Sequence, residues 1–360
     1  MNRSSFKSVL VGFCNPLLDI SADVSTDFIE KYGLKVNDAV LATQDQLDVF
    51  SDILANHKPT LLSGGSGQNT MRGAQLLLPP DSAVFIGAVG KDENASKLRM
   101  AAEKAGLRTE YMVNPAKQTG TCALLVTKKG NSMVADLGAA ETYNIAHLQS
   151  PHIWRIIEHA RIYYITGFFF AASPETIRAV AKHSVENNKT FTMNISAPFV
   201  ATKFSSQLIE ILPYVDVLFG SHFETPALSS ALGLTSCDDD RVLVKHLTRW
   251  QKTGPGTRLV VFTTNGGVVV GSGDSENVFV YDITKVPKNE IVDANGAGDG
   301  FVGGFLAQMM QGRTVDVCVE AGNWLASLVL RQRGASYPDS DVAFVPRGLT
   351  ALKVNPDLET

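Results

Sequence analysis

The sequence predicts an α/β protein with a mainly parallel central sheet. Short, nearly continuous apolar runs recur along the chain, as in strands that are covered on both faces. Between these runs, apolar residues recur at the three-and-four spacing of amphipathic helices. With 360 residues, 44% of them hydrophobic and 19% charged, the chain can form one large domain, or one large and one small domain.

The predicted elements alternate in type along the chain. The buried strands are expected at "SVLVGF", "AVFIGAVG", "RIYYITGFFF", "FTMNIS", "VDVLFG" and "RLVVFTTNGG". The helices are expected at "ASKLRMAAEKAG", "SPETIRAVAKHSVENN", "SSQLIEILPY" and "DDRVLVKHLTRWQKTG". Ser173 is the expected N-cap of the second helix, because Pro174 suits the first helical position and Glu175 suits the positive end of the helix dipole.

Two segments have a partly polar, strand-like alternation, and they predict a small second domain, here called the lid. The lid comprises 17–63 and 117–143, with a turn at Lys129-Gly130-Asn131. The large domain then comprises 1–16, 64–116 and 144–360. In open α/β sheets a ligand binds at the carboxyl ends of the strands, so we expect the site beneath the lid.

Composition argues against several classes of protein. A net charge of −4 and an isoelectric point near 6.0 offer no basic surface for nucleic acid. No apolar run approaches the roughly 20 residues that span a membrane, and Asn15-Pro16 interrupts the amino-terminal run too early for a signal peptide. The four cysteines lack the spacing of a disulfide or zinc framework, which favours buried thiols in the cytosol.

The glycine-rich stretch Asn295–Asp299, "NGAGD", has the composition of an anion-binding turn. We expect it to follow a short strand, "NEIVDA", and to precede a buried helix, so that backbone N–H groups and the helix dipole attract a phosphate. A carboxylate at Asp299 then suits a general base that takes a proton from an attacking hydroxyl. A turn that serves only helix packing, with Asp299 as N-cap, stays open.

Two other phosphate-binding motifs do not fit. Gly298-x-Gly300-x-x-Gly303 matches the dinucleotide fingerprint in form, but that motif belongs in a first βαβ unit rather than near the end of a chain. The Walker A pattern GxxxxGK[ST] does not occur in the sequence.

Two separated stretches resemble the signatures of the ribokinase-like (PfkB) carbohydrate and nucleoside kinases. "DANGAGDGFVGGF" is similar to the carboxy-terminal signature, with Ala294 in place of the usual threonine, and "SGGSGQNTMRGAQLL" with "FIGAVGKDENASKL" is similar to the amino-terminal one. The resemblance implies a ribokinase-like three-layer sandwich with a mainly parallel central sheet and a smaller inserted α/β lid.

Within that family the chain most resembles the members that phosphorylate adenosine. The similar segments include "VGFCNPLLDI", "QTGTCALLV", "YYITGFFFAASPE", "FTMNISAPF" and "PYVDVLFGS". This resemblance implies transfer of the ATP γ-phosphoryl group to the 5′-hydroxyl of adenosine. Asp299 is then the base, and the N–H groups of Gly296, Ala297 and Gly298 form the anion hole. It also implies a monomer. A kinase for ribose or another nucleoside, and a catalytically silent nucleoside-binding protein, stay open as alternatives.

The resemblance also implies an adenosine site, in which Asp19 accepts hydrogen bonds from two vicinal ribose hydroxyls, because a carboxylate offers two acceptor oxygens. Without the resemblance, a structural salt bridge at Asp19 and core positions for the apolar residues are the alternatives. The implied adenosine-binding residues are Asn15, Asp19, Leu41, Gly64, Gly65, Gln68, Asn69, Cys122, Met133, Ala135, Phe169 and Asn295.

For the second substrate, Mg-ATP, the implied residues are Asn194, Glu224, Thr263, Gly266 and Asn323. The family's magnesium motif is NxxE, and here Ser221 stands in the asparagine position. Glu224 is still expected to order the water shell of Mg²⁺, since this ion keeps several waters and binds few carboxylates directly. Arg331 and Arg333 are expected to be solvated charges near a helix end, with a contact to the nucleotide as the alternative.

Overall fold

The computed structural model describes residues 9–36, 38–234, 237–283, 285–338 and 343–356. Nearly every apolar run named above forms a strand. The strands of the described residues are β1 (Val9–Phe13), β2 (Leu17–Asp23), β3 (Ala39–Leu41), β4 (Thr60–Gly64), β5 (Ala83–Gly90), β6 (Arg108–Asn114), β7 (Thr119–Thr127), β8 (Gly130–Gly138), β9 (Ala160–Thr166), β10 (Thr190–Asn194), β11 (Val217–Ser221), β12 (Leu259–Thr263), β13 (Gly267–Ser272), β14 (Val278–Asp282) and β15 (Ala351–Val354).

The four helices predicted from amphipathic spacing are present, at Glu93–Lys104, Pro174–Glu186, Ser205–Ile211 and Asp240–Arg249, and the described residues form further helices that this spacing did not predict. In chain order the helices are α1 (Thr26–Lys31), α2 (Asp48–Asn56), α3 (Ser66–Leu76), α4 (Glu93–Lys104), α5 (Ile145–Leu148), α6 (Pro151–His159), α7 (Pro174–Glu186), α8 (Pro198–Lys203), α9 (Ser205–Ile211), α10 (Thr225–Ala231), α11 (Asp240–Arg249), α12 (Ala297–Met310) and α13 (Val315–Val329). Ser173 precedes α7 with Pro174 at the first helical position, but its hydroxyl bonds Glu175 and Thr176 rather than a backbone N–H.

The main sheet has ten strands in the order β15-β14-β13-β12-β11-β10-β9-β1-β5-β6. From β12 to β6 every neighbouring pair is parallel. The remaining strands, β13 to β15, are antiparallel. The carboxyl ends of the parallel strands therefore meet at one edge of the sheet.

Helices cover both faces of this sheet. In β1, Val9, Val11 and Phe13 face a core that includes apolar residues of α6, α7 and α11. Leu10 points the other way, toward a core built with α3, α4 and α12. The molecule therefore has three layers, with the sheet in the middle.

A second sheet of five strands, in the order β3-β8-β7-β2-β4, lies apart from the first. Its strands come from the two segments that the sequence assigns to the lid, and it has its own small core around Ile20, Ile53 and Val134. A hairpin is present near the predicted turn, but the turn itself lies at Lys128 and Lys129, because Gly130 and Asn131 already belong to β8 and Gly130 pairs with Thr127. That this sheet moves as a lid stays a prediction.

The expected strand "NEIVDA" is wrong. Its first residues end a short 3₁₀ helix, Lys288–Glu290, and the next residues pair with none of the strands described above. The N–H groups of Val292 and Asp293 donate instead to the carbonyl of Leu330, just after α13. Val292 is 62% exposed, so its apolar character does not reflect burial in a sheet.

Within the described ranges, no helix combines the length and the apolar composition needed to cross a bilayer.

Candidate active site

A cavity of about 310 Å³ opens where the carboxyl ends of the parallel strands face the second sheet. This cavity brings together most of the predicted site residues, although they come from segments far apart in the sequence. The predicted residues that line it are Asn15, Asp19, Leu41, Gly65, Asn69, Cys122, Met133, Ala135, Asn194, Glu224, Thr263, Asn295, Gly296, Gly298 and Asp299.

Asp299 is the third residue of α12, so it is not the N-cap of that helix; the N-cap is Gly296. Ser66 Oγ donates to Asp299 Oδ1 at 2.7 Å, and Asn69 Nδ2 donates to Oδ2 at 3.1 Å. Burial raises the pKa of Asp299 to about 6, and these two hydrogen bonds partly offset the rise. The carboxylate is thus oriented from both sides and poised near neutral pH.

The glycine-rich turn places backbone N–H groups beside this carboxylate. Gly296 has a φ of 79°, in the left-handed region, and a Cβ on it would lie 2.4 Å from the Cβ of Ala335. Neither Gly296 nor Gly298 has an acceptor for its N–H among the described residues, whereas the N–H of Ala297 donates to the carbonyl of Ala294 at 3.3 Å. The first turn of α12 therefore offers donors for an anion.

Asp19 lies on β2, where the second sheet meets the cavity. Its side chain is only 7% exposed, yet no described residue forms a hydrogen bond or ion pair with its carboxylate, so the structural salt bridge is not present. Gly64 packs directly against it, because a Cβ at that position would lie 2.1 Å from the carboxyl carbon and both oxygens. Burial, together with the charge of Asp299, raises the pKa of Asp19 to about 8.

Asn15 lies in the loop between β1 and β2 and also faces the cavity. Its Nδ2 donates to the carbonyl of Phe168 at 3.0 Å. Its Oδ1 is buried and has no hydrogen-bond partner among the described residues. A buried amide oxygen without a donor is costly in the free protein, so a ligand hydroxyl would be well placed to satisfy it.

Of the two adjacent phenylalanines, Phe168 lines the cavity rather than the predicted Phe169. Phe168 lines the cavity and stacks on Phe199, with ring centroids 5.8 Å apart. Phe169 is fully buried and packs against Phe13 and Tyr143 on the other side of the chain. Both residues belong to one 3₁₀ helix, Gly167–Ala171, in which successive side chains point in different directions.

Gln68 supports the site from beneath instead of lining it. Its side chain is fully buried. Its amide nitrogen Nε2 donates to Ser63 Oγ at 2.9 Å, and its Oε1 accepts from the Tyr111 hydroxyl. Every contact of this amide holds α3 against its neighbours, so the structure favours a supporting role over direct contact with a ligand.

At the far end of the cavity, Asn194, Ser221 and Thr263 stand at the ends of β10, β11 and β12. The carboxylate of Glu224 accepts hydrogen bonds from both the backbone N–H and the hydroxyl of Ser221, at 2.5 and 2.6 Å. Ser221 therefore orients Glu224 from the position where the family motif has asparagine. Burial raises the pKa of Glu224 above its ordinary value.

The donor set at this end fits Mg²⁺. Glu224 is a hard oxygen donor that faces the cavity, and Mg²⁺ binds proteins through one or two carboxylates plus substrate phosphates. Within the described ranges, no group of three or more His, Cys, Asp or Glu side chains is arranged to hold a metal ion.

Besides Gln68 and Phe169, the predicted residues Gly64, Ala297, Gly266 and Asn323 do not line the cavity. Gly266 is exposed in the turn between β12 and β13. Asn323 lies on α13, where its Nδ2 is buried with no partner among the described residues. Arg331 pairs with Glu290 and Arg333 with Asp23, so both cations are engaged at the surface just beyond the end of α13.

Sequence reasoning missed several residues at the site. Ser66 was not predicted to hold the base, although its place directly after Gly64-Gly65 and at the start of α3 puts its hydroxyl in the first turn beside Asn69. Cys14 and Phe199 also line the cavity, and no local motif distinguishes them from ordinary core residues.

Comparisons with known proteins show which family the chain is similar to. Residues 26–342 match the pfkB family carbohydrate kinases. The chain is 37% identical to adenosine kinase 1 of Arabidopsis thaliana over 94% of its own length and 98% of that protein, and 38% identical to adenosine kinase of Schizosaccharomyces pombe over 92% and 96%.

Solved structures of adenosine kinases also superpose on this chain. The crystal structure of Anopheles gambiae adenosine kinase in complex with P1,P4-di(adenosine-5) tetraphosphate superposes with a TM-score of 0.89 at 39% identity, covering 91% of this chain and 97% of that one. Adenosine kinase from Schistosoma mansoni in complex with 2-fluoroadenosine gives 0.90 at 28% identity, covering 94% and 99%. The predicted ribokinase-like α/β sandwich is thereby confirmed. The chain belongs to the pfkB family of carbohydrate kinases and is an ATP-dependent kinase.

Proposed function

We propose that this kinase transfers the γ-phosphoryl group of Mg-ATP to the 5′-hydroxyl of adenosine, giving AMP and ADP, a reaction of purine salvage. One observation carries the proposal. Two carboxylates with different surroundings, Asp19 and Asp299, share a cavity with the open N–H groups of Gly296 and Gly298. The curated relatives and the solved structures described above, which are adenosine kinases, support the choice of acceptor.

The nucleoside end of the cavity suits a ribose. Asp19 has two acceptor oxygens that no described residue engages, and they match the two vicinal hydroxyls. Asn15 Oδ1 is a third acceptor without a donor. Phe168 and Leu41, with Met133 and Cys122 from the second sheet, supply apolar and aromatic surface for a purine ring.

In the proposed reaction Asp299 removes the proton of the 5′-hydroxyl as the oxygen attacks the γ-phosphorus. A pKa of about 6 leaves this carboxylate ionised at neutral pH while it still accepts a proton readily. The N–H groups of Gly296 and Gly298 stabilise charge that develops on the phosphoryl oxygens. The N–H of Ala297 joins them only by giving up its long bond to the carbonyl of Ala294.

Mg²⁺, when bound, neutralises charge on the ATP phosphates. Glu224, oriented by Ser221, would hold the ion through water, and Asn194 and Thr263 stand beside it at the strand ends. Closure of the second sheet over the cavity would exclude water and so limit hydrolysis of ATP.

The proposal is tested by measuring product formation from Mg-ATP with adenosine, inosine or ribose as the acceptor. We expect AMP from adenosine and a clear preference for adenosine over the other two. A preference for ribose or inosine would identify a different member of the family. Tight adenosine binding with no AMP would instead identify a nucleoside-binding protein without kinase activity on it.

The assignment of the base is tested separately with Asp299→Asn. This variant keeps the side-chain volume and removes the proton acceptor, so adenosine binding should persist while turnover falls on the order of a hundredfold or more. Near-wild-type turnover, measured where the chemical step limits the rate, would remove Asp299 from this role.

We also propose that the protein is a monomer of the cytosol. The molar mass in solution, from light scattering after gel filtration, tests the first part, and cell fractionation tests the second.

A further inference from the structure

Asp293 joins three separate parts of the chain through one carboxylate. Its Oδ1 accepts from Asn131 Nδ2 at 3.2 Å and from the N–H of Asn295 at 2.9 Å. Its Oδ2 accepts from the N–H of Gly334 at 2.9 Å. The second sheet, the glycine-rich turn and the segment after α13 therefore meet at this side chain.

This carboxylate is buried, and no cationic side chain of the described residues pairs with it. Asp293 is 7% exposed, and among the described residues it takes part in no ion pair. The nearby Arg333 pairs with Asp23 instead. Within the described part of the chain, the partners of this carboxylate are N–H donors, and the loss of any one of them leaves it poorly solvated.

Two of the three contacts fix the turn that offers its N–H groups to the phosphate. The bond from Asn295 to Asp293 closes a tight turn two residues long, directly before Gly296. The bond from Gly334 holds the next residue, Ala335, which packs against Gly296 so closely that a Cβ on that glycine would lie 2.4 Å away. Asp293 thus holds both the turn and the backbone behind it.

The third contact comes from the second sheet. Asn131 lies at the start of β8, next to the hairpin end. The same side of the site has two more contacts with this sheet: the ion pair between Arg333 and Asp23, and the packing of Gly334 against Leu62 on β4. Among these three contacts, the one from Asn131 reaches Asp293, which also binds the glycine-rich turn through Asn295.

We propose that Asp293 is a positioning residue that couples the contact of the second sheet to the geometry of the anion-binding turn. When Asn131 bonds Oδ1, the carboxylate is fixed in the orientation that also holds Asn295 and Gly334. When the sheet moves away, the carboxylate loses that donor and the turn is held less firmly. The kinetic part of this inference rests on the proposed function; the structural part does not.

The kinetic test uses Asn131→Ala, Asp293→Asn and the double variant in single-turnover transfer from ATP to adenosine. Asn131→Ala and Asp293→Asn should each slow transfer on the order of tenfold, with little change in the dissociation constant for adenosine. The double variant should be no slower than Asp293→Asn alone, because the same coupling is already lost. Lys129→Ala, an exposed neighbour in the same hairpin, is the matched control and should transfer at the wild-type rate.

A second variant keeps the test decisive if Asp293→Asn fails to fold. Asn131→Asp places one carboxylate against another, so it should slow transfer more than Asn131→Ala does. Hydrogen exchange without any ligand gives an independent readout: the amides of Asn295 and Gly334 should exchange faster in Asn131→Ala than in Lys129→Ala.

The outcomes separate the two proposals. If wild-type protein makes no AMP from adenosine, the proposed function fails, and the exchange experiment still decides the coupling. If exchange at Asn295 and Gly334 is unchanged in Asn131→Ala, the coupling fails. The coupling would also be overturned if the rate effects of Asn131→Ala and Asp293→Asn simply multiplied in the double variant. It would likewise be overturned if the variants lowered the melting temperature but left the transfer rate per folded molecule unchanged.

Discussion

Ser66 Oγ donates a 2.7 Å hydrogen bond to Asp299 Oδ1, although 233 positions separate the two residues in the chain. The bond exists because α3 and α12 pack side by side with their amino-terminal ends at the same edge of the cavity. It stabilises the ionised form of Asp299, and it opposes the effect of burial on the pKa of that carboxyl.

Ser66→Ala should therefore raise the pKa of Asp299 further. The acid limb of the kcat profile, measured at saturating adenosine, should move to higher pH while the rate at its alkaline plateau changes less. Ser96→Ala, which removes a hydroxyl on the exposed face of α4, should leave the profile in place. An unshifted acid limb in Ser66→Ala would show that this hydrogen bond does not tune the base.

Asp19 predicts a pH dependence of adenosine binding. Its pKa is raised to about 8, and only the carboxylate form accepts hydrogen bonds from both ribose hydroxyls. Affinity should therefore increase as pH rises from 6 toward 9, by up to about tenfold per unit below the pKa. Calorimetric titration of wild-type protein and Asp27→Asn, a control on the exposed side of α1, should give the same slope. Asp19→Asn should bind weakly with no such slope, and a slope retained in that variant would exclude Asp19 as its source.

The same residue predicts how stability changes with pH. The pKa of Asp19 is higher in the folded protein than its ordinary value of 3.8, so the folded state binds more protons than the unfolded state between these two values. The free energy of unfolding should thus fall as pH rises through this window, with Asp19 contributing up to about 1.4 kcal/mol per unit. Denaturant unfolding at pH 6 and pH 8 should show a smaller fall in Asp19→Asn. An equal fall in both proteins would mean that Asp19 is not buried as an acid.

Local sequence patterns predicted much of this fold because parallel strands that are buried on both faces leave uninterrupted apolar runs, as in Val9–Phe13 and Ala83–Gly90. The same rule failed at "NEIVDA". There Ile291 and Val292 are apolar but exposed. The backbone partner of Val292 and Asp293 is Leu330, whose position depends on the packing of α13. Local composition carries no information about such a partner.

The residues of the site were also predictable from the sequence only in part. Asp19, Gly64 and the glycine-rich turn belong to motifs that a resemblance can identify. Asn131 and Asp293 form a contact between segments 162 positions apart, and no short motif encodes it. Such contacts are visible only once the topology places the two segments together.

Replacement of Glu224 should change the Mg²⁺ requirement of the reaction and leave adenosine binding unchanged. Glu224→Gln removes the charge that would order the water shell of the ion, so the Mg²⁺ concentration for half-maximal rate should rise on the order of tenfold. Ser221→Ala, which keeps the backbone donor and removes only the hydroxyl, should give a smaller rise. The dissociation constant for adenosine should not change in either variant. An unchanged Mg²⁺ requirement in Glu224→Gln would exclude this carboxylate from the metal site.

Phe168 and Phe169 form a matched pair, since they are adjacent, chemically identical and placed on opposite sides of the chain. Phe168→Ala removes an aromatic face from the cavity, so adenosine should bind on the order of tenfold more weakly while stability changes little. Phe169→Ala empties a fully buried position between Phe13 and Tyr143 and should cost about 3–5 kcal/mol of unfolding free energy. Calorimetric binding and denaturant unfolding of both variants measure the two effects. A side chain that only fills the core affects affinity through folding alone. If Phe169→Ala weakened adenosine binding in the folded protein more than Phe168→Ala did, the purine would therefore lie against Phe169 and not against Phe168.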